Sequence, residues 1–499
     1  MGYILKISDI NKRKQINIFH SCIAIPALIL VGALFLQNPG HAQTQTKYYT
    51  SLEDIPFDSI SIDRIFVIGN KRTKERIIRR ELDFTDGDRI PTQDLKERIK
   101  KNEEKLTNTS LFMTVKISLV EISHDRVDVI IRLVERWYIF PIPVLELADR
   151  NFKDWWVNQN HDFSRIEWGL KLYLYNMRGR NETLRLQGQL GFTKRFKISY
   201  EFPYIDKKQR FGLGFMFDYK QNKNTFYRTE DNVLVFLDSD NWLKEQYIGD
   251  VSTTYRKGFY SLHKFGASYY NTDVNDTIVE LNPNYLGEGG KTKQRFFSLY
   301  YSFVNDKRDI AAYPLHGSYF VASISKNGLG VWDDINNMQL SALYYKYIDI
   351  GKHFYLSGNV GGQLLTPTDQ PYNVYNRMGI GRFTLRGYEL YVIEGPLFAQ
   401  NQWTLRKLLF KLEKNLSSAV PIRQLSQFYL ALYAKTYFDL GYIEGYPNDE
   451  LNRRLTDQLL YSGGLGLDLV TIYDIVLRFE YTFNKQGESG FVFGFRAVF

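Results

Sequence analysis

The chain has 499 residues, a formal net charge of +9, 36 Tyr, 35 Phe and one cysteine. That length leaves room for two or three ordinary domains, and the lone Cys22 excludes a disulfide framework. The charge is too mild to demand nucleic acid: Lys71, Arg72, Lys74, Arg76, Arg79 and Arg80 are interleaved with Glu75, Glu81, Asp83, Asp86 and Asp88, the pattern of a solvated helix face.

At the N-terminus, Lys12, Arg13 and Lys14 precede an apolar run from Ile23 to Leu36, and Gly40-His41-Ala42 places small residues where a signal peptidase cuts. Residues 1–42 therefore read as a signal peptide, with cleavage before Gln43. A retained anchor is the competing reading, but the run is short for a bilayer-spanning helix and Pro26 interrupts it. Cys22 precedes most of the apolar run, which argues against a lipid-anchored N-terminus. The mature chain would carry a charge of +6 and no thiol, and export would take it away from nucleic acid. Residues 43–60 form a short linker.

From Ser61 to Phe140 the pattern is strand, helix, helix, strand, strand. Ile62, Ile65 and Val67 form an apolar segment closed by Gly69-Asn70, after which Thr73 is placed to cap a helix carrying Ile77, Ile78 and Leu82. Gly87 breaks that helix, and a second runs from about Thr92 to Leu106 with Leu95, Ile99 and Leu106 on one face. Alternating strands come next, through Val115, Ile117 and Leu119, then Val127, Val129, Ile131 and Leu133. Residues 61–140 thus make a small α+β domain. Its order, with Leu111-Phe112 before the second strand, resembles a POTRA domain. Pro141 and Pro143 mark the junction between this domain and the C-terminal region.

Beyond about Arg165 the helical period gives way to a period of two. Trp168, Leu170, Leu172 and Leu174 share one face; Phe211, Leu213, Phe215, Phe217 and Tyr219 repeat the scheme, as do Phe297, Leu299, Tyr301 and Phe303. The last such segment carries Phe491, Phe493, Phe495 and Phe499. A soluble sandwich also alternates, but apolar residues facing lipid, water inside and aromatic girdles explain the Tyr and Phe content better. The expected fold class is a membrane all-β protein: residues 150–499 form a transmembrane β-barrel of roughly 16 strands, from about 20 residues per strand and loop. Its first strand is expected at about Ile166 to Tyr175.

Signals of catalysis are poor. His124, His161, His263, His316 and His353 are scattered, no helical metal pair or nucleophile elbow occurs, and Gly289-Gly290-Lys291-Thr292 lacks the first glycine of a phosphate loop, since position 285 is Tyr. No catalytic residue, metal or cofactor is expected. The informative stretch is a long connection from about Leu364 to Gln400 containing Leu385-Arg386-Gly387-Tyr388. Independently, a strand from Phe428 to Asp439 turns Phe428, Leu430, Leu432, Ala434 and Phe438 to lipid, so Tyr433, Lys435, Tyr437 and Asp439 point into the lumen.

These motifs resemble the outer-membrane insertase superfamily known through BamA, TamA and the two-partner secretion transporters. There, an aliphatic-Arg-Gly-aromatic loop tip lies inside the barrel, matched here by Leu385, Arg386, Gly387 and Tyr388. Its arginine pairs with the aspartate of an aromatic-x-Asp-x-Gly motif, matched by Asp439 and Gly441. Asp306, Arg308, Asp309, Pro314 and Gly317 resemble another family stretch, and the aromatic-terminated segment to Phe499 resembles a C-terminal recognition strand. The resemblance implies a bacterial outer-membrane protein with its N-terminal domain in the periplasm. Its partners would be unfolded outer-membrane or secreted client proteins, membrane lipid, and periplasmic chaperones or accessory proteins. The resemblance implies a factor that inserts or translocates other outer-membrane proteins; a two-partner-type secretion pore for one dedicated exported protein and a structural or passive diffusion barrel are the alternatives, and room for only one POTRA domain departs from BamA-like insertases.

Overall fold

A computed structural model of the chain describes residues 57–123, 125–147, 163, 166–379, 381–416, 426–447 and 449–497. The expected signal peptide, most of the linker and Phe499 lie outside the described residues, as does the side chain of Phe495.

The small domain consists of β1 (Ser59–Ile68), α1 (Glu75–Arg79), β2 (Arg89–Pro91), α2 (Thr92–Asn108), β3 (Phe112–Ser123) and β4 (Arg126–Glu135). Its sheet has the order β2-β1-β4-β3, with β1 parallel to β4. The helical and strand periods converge on one core: Leu95, Ile99 and Leu106 of α2 pack with Ile62, Ile117 and Ile131. Thr73 does not cap a helix. Its hydroxyl donates to Glu135 Oε1 at 2.6 Å, α1 starts after Lys74, and Leu82 enters the core from the turn beyond α1.

Most of the rest of the described chain forms one 16-stranded antiparallel sheet. In chain order its strands are β5 (Ile139–Leu147), β6 (Ile166–Tyr175), β7 (Thr183–Leu190), β8 (Thr193–Phe202) and β9 (Phe211–Asn222). A hairpin of β10 (Asn224–Glu230) and β11 (Val233–Asp238) then stands apart. The sheet resumes with β12 (Lys244–Tyr255) and β13 (Ser261–Val274), and the short α3 (Asp276–Leu281) precedes β14 (Lys293–Asp306). After β15 (Gly317–Asn327), β16 (Asn337–Gly351) and β17 (Phe354–Thr366), the pair β18 (Arg377–Met378) and β19 (Ile393–Glu394) lies in a long connection. The sheet ends with β20 (Leu397–Asn415), β21 (Gln427–Glu444), β22 (Leu459–Thr471), β23 (Ile475–Asn484) and β24 (Ser489–Ala497).

The two faces of this sheet have inverted polarity. Phe215, Phe265, Leu465 and Phe479 are exposed, whereas Asp218, Gln294, Asp439 and Asp468 are buried. Lipid outside and a filled polar lumen produce this pattern, so the sheet is a transmembrane barrel. Exposed Phe438 and buried Tyr437 and Asp439 follow the parity expected for β21. The first strand differs from expectation: it is Ile139–Leu147, paired with β6 from Ile139↔Leu174 to Leu147↔Ile166. Pro141 and Pro143, read as a junction, lie inside it. Proline disqualifies a central strand but not an edge strand whose proline nitrogens face away from its one neighbour, as the register here places them.

Candidate functional site: a loop tip held in the barrel lumen

The connection between β17 and β20, residues 367–396, carries its own apolar content into the barrel. Met378, Phe383, Leu385, Tyr388 and Ile393 are buried against Phe398, Ile443 and Leu460 of the wall. Its stem is fixed by Arg377, whose Nε donates to Glu394 Oε1 at 2.7 Å across β18 and β19. Burial pushes the Glu394 carboxyl above its ordinary value, and the Arg377 guanidinium opposes that. Higher up, the Tyr375 and Tyr446 rings stack with centroids 3.8 Å apart.

At the tip, Arg386 Nε donates to Asp439 Oδ2 at 2.8 Å and Nη2 bonds Oδ1, giving a two-pronged fork. Asp439 is fully buried. Its carboxylate also accepts the Arg386 N–H at 3.2 Å and Gln402 Nε2 at 2.8 Å, while Arg386 Nη1 donates to Thr404 Oγ1 at 3.0 Å. The guanidinium carbon lies 3.9 Å from the Tyr437 ring centroid, a cation over an aromatic face. The Gly387 carbonyl accepts Asn484 Nδ2 at 2.8 Å, and Tyr388 Oη donates to the Tyr461 carbonyl at 3.1 Å. Thus all four tip residues and Asp439 meet, and the tip spans β20 to β23. Gly387 has φ +83°, a conformation that favours glycine, and a Cβ on Gly441 would stand 3.0 Å from the Leu385 side chain.

Asp306, Arg308, Asp309, Pro314 and Gly317 lie elsewhere, in and beside the turn from β14 to β15. Arg308 Nε donates to Asp306 Oδ1 at 2.8 Å, Asp309 Oδ1 accepts the Leu315 N–H at 3.1 Å, and Gly317 has φ +97° with no room for a Cβ beside the Lys307 carbonyl. This turn does two things that sequence reasoning missed. It receives the small domain, because Asn108 of α2 donates to the Arg308 and Asp309 carbonyls at 3.0 and 2.9 Å and accepts the Ala311 N–H at 2.9 Å. It also sends Tyr313 into the barrel, where Oη donates to Asp468 Oδ2 at 2.9 Å. Asp468 in turn bonds Lys435, whose Nζ lies 2.7 Å from Glu480. Lys435 shares the inward parity of Asp439, the one signal that could have found this second lumenal cluster.

The small domain is seated on the same end of the barrel. Fully buried Glu81 receives Arg256 Nη1 and Nη2 at 2.7 and 2.9 Å, and Arg80 Nε donates to the Gln209 carbonyl at 3.0 Å. Arg72 Nη2 reaches the Met177 carbonyl at 2.6 Å, and Arg136 Nη2 reaches Asp474 at 2.6 Å. The expectation of a solvated helix face therefore fails for Arg80 and Glu81, while Arg72 stays exposed although it bonds a barrel turn: local charge alternation carries no information about a second surface docked on it. A cavity of about 540 Å³ lies between the domain and the lumen, lined by Glu81, Lys105, Tyr204, Arg256 and Phe259 among others. Among the described residues, no cluster of three or more side chains suits a metal ion.

The 16-stranded barrel sheet thus carries an inward loop tip forked onto a wall carboxylate. Residues 176–496 match the Omp85 superfamily domain, and residues 60–136 match the POTRA model described as surface antigen variable number repeat. The chain belongs to the Omp85 superfamily. No curated protein matches the sequence. Among solved structures, the Omp85 barrel here is similar to BamA from Haemophilus ducreyi lacking POTRA domains 1-3, at 15% identity, TM-score 0.50, covering 87% of this chain and 84% of that one. It is also similar to CdiB from Escherichia coli, at 10% identity, TM-score 0.51, covering 88% of this chain and 74% of that one. At such identities the likeness concerns the fold. Omp85 barrels with POTRA domains reside in the bacterial outer membrane and act as insertases or translocators.

Proposed function

We propose that this Omp85 protein assembles other proteins into, or moves them across, the bacterial outer membrane, with its POTRA domain in the periplasm receiving the unfolded client. The observation that carries this reading is the Arg386–Asp439 fork: it holds a long loop inside a lumen that a passive pore would leave clear. Chemistry on the client is not required. The small sheet ends in the edge strand β3, placed to take an extended chain by strand addition, and the barrel has a seam flanked by β5 and β24 where a strand can be templated. Backbone pairing at either edge needs no nucleotide.

Depleting the protein and profiling the outer-membrane proteome tests this. Loss of several barrel proteins is the expected result. Loss of a single secreted protein would instead assign a dedicated secretion pore, and an unchanged proteome with altered solute permeability would overturn the proposal.

A further inference from the structure

The turns that receive the small domain, at Gln209, Gly258 and Arg308, mark the periplasmic end of the barrel. At the opposite, extracellular end, the outward residues of β8, β9 and β12 to β14 fall into rows fixed by the strand registers. The outermost row is Lys194, Gln221, Glu245, Asp273 and Lys293; the next is Phe196, Tyr219, Tyr247, Asn271 and Arg295. This is the lipid-facing side of the wall, because Phe196, Phe217 and Leu299 lie exposed on it. A charged row above an aromatic one, with apolar rows below, places this belt at the headgroup boundary of the outer leaflet.

The acids of the belt are matched within the protein. Glu245 Oε1 accepts the Tyr219 and Tyr247 hydroxyls at 2.9 and 2.7 Å, and Asp273 takes Asn271 Nδ2 at 2.7 Å and Lys293 at 3.2 Å. Lys194, Lys223 and Arg295 are different: among the described residues none of them has a carboxylate within ion-pair distance. Each lies on a tryptophan instead. Lys194 and Lys223 approach the same ring, with Nζ 4.6 and 5.4 Å from the Trp242 centroid, and the Arg295 guanidinium lies 5.7 Å from that of Trp332.

The Trp332 station is built with some strain. Trp332 has φ +47°, a left-handed conformation that bulky residues rarely adopt, and its ring stacks on outward Phe297 at 5.7 Å. Asp334 Oδ2 accepts the Arg295 backbone N–H at 2.7 Å rather than its guanidinium, and Arg295 Nε is buried without an acceptor. An indole face attracts a cation but accepts no hydrogen bond in its plane, so the donors of all three cations stay free. Two ammoniums on one ring also repel each other. An anion in the headgroup layer relieves both deficits, and phosphate suits the planar fork of arginine best.

We propose that this belt recognises the phosphates of an anionic glycolipid of the outer leaflet, with one station on Trp242 and a second on Trp332. Four strand spacings separate the stations, about 19 Å, so each takes its own phosphate. The occupant is a lipid of the surrounding membrane and not a client chain, so this inference stands apart from the proposed function.

The test uses the purified full chain in non-ionic detergent, titrated with lipid A carrying two phosphates, with bound lipid counted by native mass spectrometry. Lys194→Gln with Lys223→Gln should weaken retention roughly tenfold, as should Arg295→Gln, the scale of one charge-assisted hydrogen bond. The separated stations should act independently, so the triple variant combines the two losses. Lys194→Arg with Lys223→Arg should keep retention, and Lys407→Gln, which removes a cation 5.0 Å from the Phe354 ring at the periplasmic end, should leave it unchanged. Dephosphorylated lipid A should bind all variants equally weakly. Equal retention of phosphorylated and dephosphorylated lipid would reduce the belt to an apolar girdle and overturn the proposal. Displacement of lipid A by inorganic phosphate alone would make it a plain anion site, and a loss with Lys407→Gln as large as in the triple variant would make it a general charge effect; either result overturns it too.

Discussion

Arg386 grips Asp439 from a loop 53 residues earlier in the chain, with its backbone N–H and both prongs of its guanidinium on one fully buried carboxylate. Removing one partner strands the other in a site built for a pair, which costs about 3 kcal/mol by comparison with buried ion pairs. Arg386→Ala and Asp439→Ala should each loosen the loop and cut client assembly, and the double variant should be milder than the sum by about 1–3 kcal/mol. A double-mutant cycle on thermal stability and client assembly checks this. Strict additivity would make Arg386 an ordinary turn residue.

Gly441 and Leu385 form a steric partner to that ionic contact. With 3.0 Å between a Cβ at 441 and the Leu385 side chain, Gly441→Val overpacks the tip and should destabilise it by about 1–3 kcal/mol. Leu385→Ala in the same chain vacates the space and should restore much of the loss. Protease sensitivity of the loop reports both variants. If Leu385→Ala deepened the defect, the contact would not be the cause.

How far the sequence discloses this arrangement depends on whether the signal is periodic. Asp439 was legible because strand parity turns it inward, and Arg386 because only a very long loop could reach it. Lys435 has the same parity, yet its partners Asp468 and Glu480 come from the β21, β22 and β23 registers, which no local pattern encodes. The strand β5 was hidden by its prolines, since a rule against proline in strands does not know which side has a neighbour. Arg80 and Glu81 looked solvated because their burial depends on turns 129 and 175 residues downstream.

Glu103 gives the POTRA domain a pH signature. Its Oε1 accepts the Ile117 N–H at 2.8 Å, but burial outweighs that bond and pushes the carboxyl above its ordinary value. A carboxyl raised on folding stabilises most below its unfolded value, and that contribution is lost as pH rises through the folded value. A fragment of residues 57–138, which keeps Tyr138 in the domain core, should therefore lose stability on this account as pH rises above about 4.3. Glu103→Gln retains an acceptor for Ile117 and should flatten the slope, with a higher melting temperature at pH 7 and little change at pH 4. Thermal unfolding between pH 4 and 8 decides, and a slope unchanged in the variant would assign it to other groups.

Arg256 and Glu81 lock the POTRA domain to the barrel, and their separation should free it. Glu81 is fully buried with both carboxylate oxygens engaged by Arg256, and Arg80 Nη1 adds a contact at 3.2 Å. Arg256 also donates to the Phe259 carbonyl at 2.6 Å, so its own turn holds the guanidinium in place. Arg256→Ala would leave Glu81 with Arg80 and the distant Tyr204 hydroxyl at 3.4 Å, a loss on the order of 3 kcal/mol at the interface. Arg256→Lys should fall between, because an ammonium cannot present the two-pronged geometry that the carboxylate receives. The effect should be confined to the junction. Amide exchange should speed up in the turns 203–210 and 256–260 and around α1, while the β1:β4 and β3:β4 ladders, held by the domain's own core, keep their protection. Uniform loss of protection across the domain would mean that Arg256 supports its folding rather than its seating, and unchanged exchange at both turns would mean that Asn108, Arg72 and Arg136 hold the domain without it.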